Sequence, residues 1–202
     1  TFINLDGYDL GFNPQPLMTM RFYMTGERYE QTGAKARRVE DIVRRVEALS
    51  GVQAAFASNL IPISGGGDGG VVEIERRPVE RSAASQITFA GVTPHFHQTL
   101  GVALLRGRDF SDSEGWSRTP VAVINQTMAR RHWPDGEAIG QRFRLADSDE
   151  APEWFTVIGV APDLRLFGVD PSNREAPASA FVPYGYQELL STGLTIRVAG
   201  PP

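Results

Sequence analysis

The chain has 202 residues, 41% hydrophobic and 22% charged, a globular composition with enough length for one large domain or two small ones. Its 20 basic and 24 acidic residues leave a net charge of −4, which gives no general attraction for nucleic acid or an anionic membrane surface. There is no cysteine, so disulfides, thiolate metal sites, iron–sulfur clusters and cysteine nucleophiles are excluded.

Residues 1–16, rich in Gly, Asn and Pro, read as a lead-in. Residues 17–24 are almost wholly apolar, with Met18, Met20, Phe22 and Met24 alternating with Leu17, Thr19, Arg21 and Tyr23, and predict a buried strand. From 34 to 49, Val39, Ile42, Val43, Val46 and Leu49 fall at helical spacing. Glu40 with Arg44 and Asp41 with Arg45 stand four apart in the favourable order on the opposite face. Gly51 supplies a stop, and residues 52–58 predict a second strand. This strand–helix–strand unit is the firmest local pattern in the sequence.

Beyond Pro62 the chain changes character. Ser64, Gly65, Gly66, Gly67, Asp68, Gly69 and Gly70 form a run too glycine-dense to hold one conformation cheaply, and predict a flexible loop. Short strands are expected at 71–75, 85–92, 121–124, 141–145, 154–160, 180–184 and 194–198. A helical turn at 94–100 ends at Gly101, and a helix capped by Asn125 runs to Trp133, where Pro134 stops it. The pattern is α+β. No stretch approaches the roughly 18 consecutive apolar residues of a membrane span. The chain opens at Thr1 with neither initiator methionine nor signal peptide, which reads as a segment of a longer protein.

Chemistry is sparse. The glycine run lacks the lysine and the following helix that a phosphate loop requires. His95 and His97 point the same way only on a strand; in a helical turn they separate, and a structural zinc site wants four N/S ligands. His132 stands at a helix end, where a cation complements the dipole. Asp109, Asp112 and Glu114, with Ser111 and Ser113, read as a solvated acidic loop, as do Asp147, Asp149 and Glu150; neither run has calcium-loop spacing. No G-x-S-x-G elbow is present. The 19 aromatic side chains, Trp116, Trp133 and Trp154 among them, lack interleaved basic residues and read mostly as core.

Several stretches resemble the periplasmic core domain of MacB-like ABC transporter permeases, which also carry the FtsX-type membrane fold. They are RVEALSGV at 45–52, PISGGG at 62–67, VTPHFHQTLGVALLRGRDF at 92–110, VAVINQTMARRHWPDGEAIGQRF at 121–143, TVIGVAPDLRLFGVD at 156–170 and FVPY at 181–184. His95 and His97 depart from the family pattern, which has Gly and a variable residue there. The resemblance implies a non-catalytic, extracytoplasmic (periplasmic) domain between two membrane helices of its own parent chain, using no cofactor or metal. ATP hydrolysis is then expected on a cytoplasmic ABC ATPase, with a periplasmic adaptor or a second permease protomer as further partners, and no nucleic acid.

It also implies a porter-like lobe of strand–helix–strand units (17–59 plus 174–202) and an inserted β-rich, sabre-like lobe (60–173), after a 1–16 lead-in from the first membrane helix. The second unit, opened by 194–198, would be completed after Pro202. The glycine run is the expected partner or gating loop. Two other classes compete. One is a periplasmic hydrolase or metal-dependent domain built on His95, His97 and the nearby acids; the other is a free-standing periplasmic ligand-binding protein.

Overall fold

The computed structural model describes residues 10–14, 16–29, 31, 33–63, 65–77, 86–146, 153–167, 175–186 and 191–200. Strand β1 (Leu17–Tyr23), helix α1 (Ala34–Glu47) and strand β2 (Val52–Ser58) form the expected opening unit. Ala36, Val39 and Val43 are the buried face of α1, while Glu40–Arg44 (2.6 Å) and Asp41–Arg45 (2.8 Å) pair on its solvent side. Such exposed pairs contribute only about 0.2–0.5 kcal/mol each, so packing of the apolar stripe holds the helix. Leu49 lies past the last turn and is 59% exposed, not part of the stripe.

β1 corrects a second expectation. It is the outermost strand of its sheet, and Met18, Met20 and Tyr23 are exposed. Only Phe22 and the following Met24 reach the core beneath α1. An apolar run looks buried in sequence, but edge position decides how much of it is covered.

The final strand, β12 (Ser191–Val198), lies between β1 and β2 and runs antiparallel to both. Beyond β2 the sheet continues through β6 (Gln86–Val92), β11 (Ser179–Pro183), β8 (Val121–Asn125), β10 (Phe155–Ala161), β9 (Arg142–Leu145) and β5 (Asp68–Ile74). β5 then pairs back onto β6, so these six strands close a ring, with the two-residue β7 (Arg106–Gly107) paired on β10 beside it. Closure removes free edges, and a ring this small is filled by its own side chains. Inside it Phe143 stacks on Phe155 while Phe89 meets Phe155 edge-on, and helix α4 (Gln126–His132) adds Met128 and Ala129 to the same core. Asn125 caps α4 as expected, its Oδ1 accepting from Met128 N and from Ser179 N, both at 2.9 Å.

Ring and outer sheet meet at one backbone pair, Ser58 opposite Val92. A second core fills the junction, where Phe56 of β2 packs edge-on (4.8 Å) against Phe96 of α2 (Phe96–Leu100), with Leu60, Val92, Leu100 and Phe181. β2 thus shows Phe56 to this core and Ala55 and Ala57 to α1, as strand alternation requires.

Candidate functional site

The glycine run is not the flexible loop the composition predicts. Gly65–Gly66 forms a short strand, β4, opposite Leu60–Ile61 (β3), and Asp68, Gly69 and Gly70 open β5, paired with Phe89, Thr88 and Ile87. Gly67 turns between them at φ +77°, and a Cβ there would lie 2.6 Å from Phe167 Cε1. Asn59 closes the segment: its Oδ1 accepts from Gly91 N and its Nδ2 donates to Asp68 Oδ2, both at 3.2 Å. Glycine therefore serves close backbone approach here, and sheet pairing supplies the order that composition alone could not reveal. Ser64 lies outside the described residues.

The two neighbouring histidines separate, as a helical turn requires. His95, at φ +65°, precedes α2 and places Nδ1 3.0 Å from Glu47 Oε1 at the end of α1, with Nε2 3.7 Å from Asp112. His97 is buried, with Nδ1 2.9 Å from Asp109 Oδ2 and its ring edge-on to Phe96 and Phe181. The acidic stretch is equally structural. Ser111 and Glu114 form a capping box at helix α3 (Asp112–Trp116), and Arg108 grips both Glu114 oxygens at 2.7 and 2.8 Å. The Arg108 hydrogen bond, opposed by partial burial and aided by Ser111, brings Glu114 down to about 2, and the same contact raises Arg108. Asp147, Asp149 and Glu150 lie outside the described residues.

His132 overturns the dipole reading. Burial, then the charges of Arg131 and Arg77, lowers its pKa to about 4, so it is neutral at the end of α4. Of the tryptophans, Trp133 is buried, whereas Trp154 lies beside the guanidinium groups of Arg142 and Arg144.

Three arrangements escaped the sequence reading. Asp163 accepts from Thr127 N and Oγ1 at 2.8 Å and from Arg130, in a polar cleft of about 270 Å³ that Arg165 and Glu175 also line. Asn59 clamps the glycine segment. Arg197 is buried between the lead-in and α2. The signals were faint: a lone Asp after Pro162, and a charged residue in an otherwise uncharged final strand. Among the described residues, no group of three or more His, Cys, Asp or Glu is placed to hold a metal ion, and no helix is long and apolar enough to cross a membrane.

The chain belongs to the MacB-like periplasmic core domain family, whose profile matches residues 10–201. It is thus a mixed α/β periplasmic domain of the MacB-like ABC transporter permease class. One similar protein is the macrolide export ATP-binding/permease protein MacB of Bdellovibrio bacteriovorus, 35% identical over 78 residues. That stretch is 39% of this chain but only 11% of the relative. Among solved structures, the fold matches the periplasmic region of MacB from Actinobacillus actinomycetemcomitans, with TM-score 0.60 and 15% identity, over 97% of this chain and 78% of that one. It also matches the extracellular domain of the noncanonic ABC-type transporter YknZ from Gram-positive bacteria, with TM-score 0.57 and 15% identity, over 91% of this chain and 84% of that one.

Proposed function

We propose that this domain transmits ATP-driven movement across the cytoplasmic membrane and docks partners outside it, without performing chemistry itself. Its parent chain carries the membrane helices, and a cytoplasmic ABC ATPase supplies the power stroke. A periplasmic adaptor or a second permease protomer is the proposed docking partner, and the glycine run 64–70, with Asp68 and Gly69 exposed at the start of β5, is the proposed contact or gating element.

One observation carries this reading. A continuous hydrogen-bonded path runs from edge strand β1 through β12 and β2 into the ring, and the Phe56–Phe96–Phe181 core backs the crossing. Close-packed interiors have low compressibility and transmit strain, so a displacement applied at β1 or β12 moves the ring with it.

The lobe division belongs to the same proposal: residues 17–59 plus 174–202 form the porter-like lobe, and residues 60–173 form the insert. β11, hydrogen-bonded on both sides within the ring, refines the proposed second boundary to the stretch after Pro183. The unit opened by β12 is proposed to continue past residue 202 with a helix over Met18, Met20 and Ile196.

The test is protease accessibility of the full-length parent, tagged in this domain. Digestion in spheroplasts with the tag in the membrane fraction is the expected result. Protection until lysis places the domain in the cytoplasm and ends the proposal. Release as a soluble protein on opening the outer membrane ends it in favour of a free periplasmic protein.

A further inference from the structure

Two stretches from opposite ends of the chain meet at the carboxyl end of α2. From the front, Leu10 is buried, Phe12 packs against the junction core, and Asn13 N donates to Leu100 O at 3.1 Å. From the back, Arg197 of β12 points the same way and is only 9% exposed. Its Nε donates to Thr99 O at 2.5 Å and its Nη2 to Asn13 O at 2.7 Å. One guanidinium therefore bridges lead-in, last strand and α2.

Arginine suits this position. Its planar fork aims several N–H groups in fixed directions, so a single side chain holds two carbonyls that face it at different angles; a lysine ammonium is a point charge without that fork. Thr99 O belongs to the last turn of α2, where carbonyls have no partner in the helix and carry its negative dipole end.

We infer that the carboxyl end of α2 fastens both bordering chain segments to the core, and that Arg197 is the positioning residue that makes them move as one piece. This rests on the mechanical reading proposed above. Pull arriving through the lead-in or through β12 enters the domain at one point, next to the Phe96 core that leads to the ring.

The experiment uses the parent permease with its ATPase in lipid nanodiscs, followed by hydrogen exchange with and without ATP and vanadate. Arg197→Met is expected to speed exchange at residues 10–14 at least tenfold, leave β8 unchanged and keep ATPase turnover within twofold. It should also abolish the nucleotide-dependent change in the ring strands β5, β6, β8, β9, β10 and β11. Arg197→Lys should recover part of the coupling.

The chain offers its own rescue. A Cβ on Gly101 would lie 3.6 Å from Asn13 Cβ, within disulfide range, at a φ of +70° that a cysteine adopts only with some strain, and these 202 residues hold no cysteine to compete. Asn13→Cys with Gly101→Cys should restore the nucleotide response of Arg197→Met when oxidised and lose it on reduction, and should leave the response intact in the Arg197 background. Unchanged exchange at residues 10–14, an equal rise in β8, or no rescue by the disulfide overturns the inference. A parent with Arg197 intact whose ring shows no nucleotide-dependent change defeats the mechanical reading instead, while exchange at residues 10–14 still decides whether Arg197 is the fastener.

Discussion

His97 and Asp109 are locked together beside the junction core: Nδ1 of the buried imidazole lies 2.9 Å from Asp109 Oδ2, while Asp109 Oδ1 accepts from Phe110 N at 2.8 Å. Burial pushes the carboxyl of Asp109 up, but the hydrogen bond and charge of His97, together with the Phe110 amide, outweigh it and leave the pKa below the ordinary value. A carboxylate depressed on folding stabilises the protein above its unfolded pKa, and that contribution is lost as pH falls through the folded value. Asp109→Asn should therefore cost about 1.5–3 kcal/mol at pH 7, the range for a hydrogen bond to a charged group. The gap between the two proteins should narrow as pH falls below the ordinary carboxylate value of 3.8. Urea unfolding at pH 7, 5 and 3 checks this, and a gap that stays constant across the range would contradict it.

His132 gives the opposite end of α4 its own pH signature. Its pKa of about 4 lies below that of a free imidazole, so acid protonates the unfolded chain first. Stability is then full above about pH 6.5 and declines toward pH 4. One pKa unit equals about 1.36 kcal/mol, but the ring is only partly buried and solvent screens it, so the expected decline is about 1–2 kcal/mol. His132→Gln should flatten this part of the curve. Melting temperatures between pH 7 and 4.5 decide it, and a parallel decline in both proteins assigns the slope elsewhere.

Gly193 of β12 marks where the outer sheet touches the start of the glycine segment. A Cβ there would lie 2.7 Å from both Leu60 O and Ile61 Cγ1. Backbone on one side leaves little room to relax, so Gly193→Ala should destabilise by about 1–3 kcal/mol, the usual cost of overpacking. Gly136→Ala, where nothing lies within 4 Å, is the matched control. Equal midpoints for the two variants in chemical unfolding would show that β12 can shift away from β3.

Legibility followed the range of each interaction. The amphipathic stripe of α1, the Asn125 cap and the separation of His95 from His97 are local, and all were readable in sequence. What the sequence hid is non-local. The exposure of Met18 and Met20 depends on β1 being an edge, which nothing within residues 17–23 records. The order of the glycine segment depends on partners at Phe89 and Phe167, far along the chain. Charge states failed for the same reason: His132 stands at a helix end, as its position suggested, but burial and two arginines settle its protonation. Ring closure by β5 onto β6 and β9 has no short-range signal in the sequence. Family resemblance reached the family itself, since it rests on the order and spacing of several segments rather than on any one of them, but not these non-local details.

Met18 and Met20 allow the proposed continuation of the outer lobe to be tested directly. They stand on the face of β1 that holds Phe22, opposite Ile196 and Leu194 of β12, beside the part of the sheet that α1 covers. At 47% and 54% exposed, they contribute little in the 202-residue chain. Met18→Ala and Met20→Ala should each change its stability by less than about 0.5 kcal/mol, as for ordinary surface positions. In a longer chain whose added segment packs a helix on this face, each becomes a large-to-small change in a core, expected to cost about 2 kcal/mol or more. Comparing unfolding midpoints of both variants in both chain lengths measures the difference. Equal small effects in the two lengths would mean that the sheet face stays open and that the lobe is completed some other way.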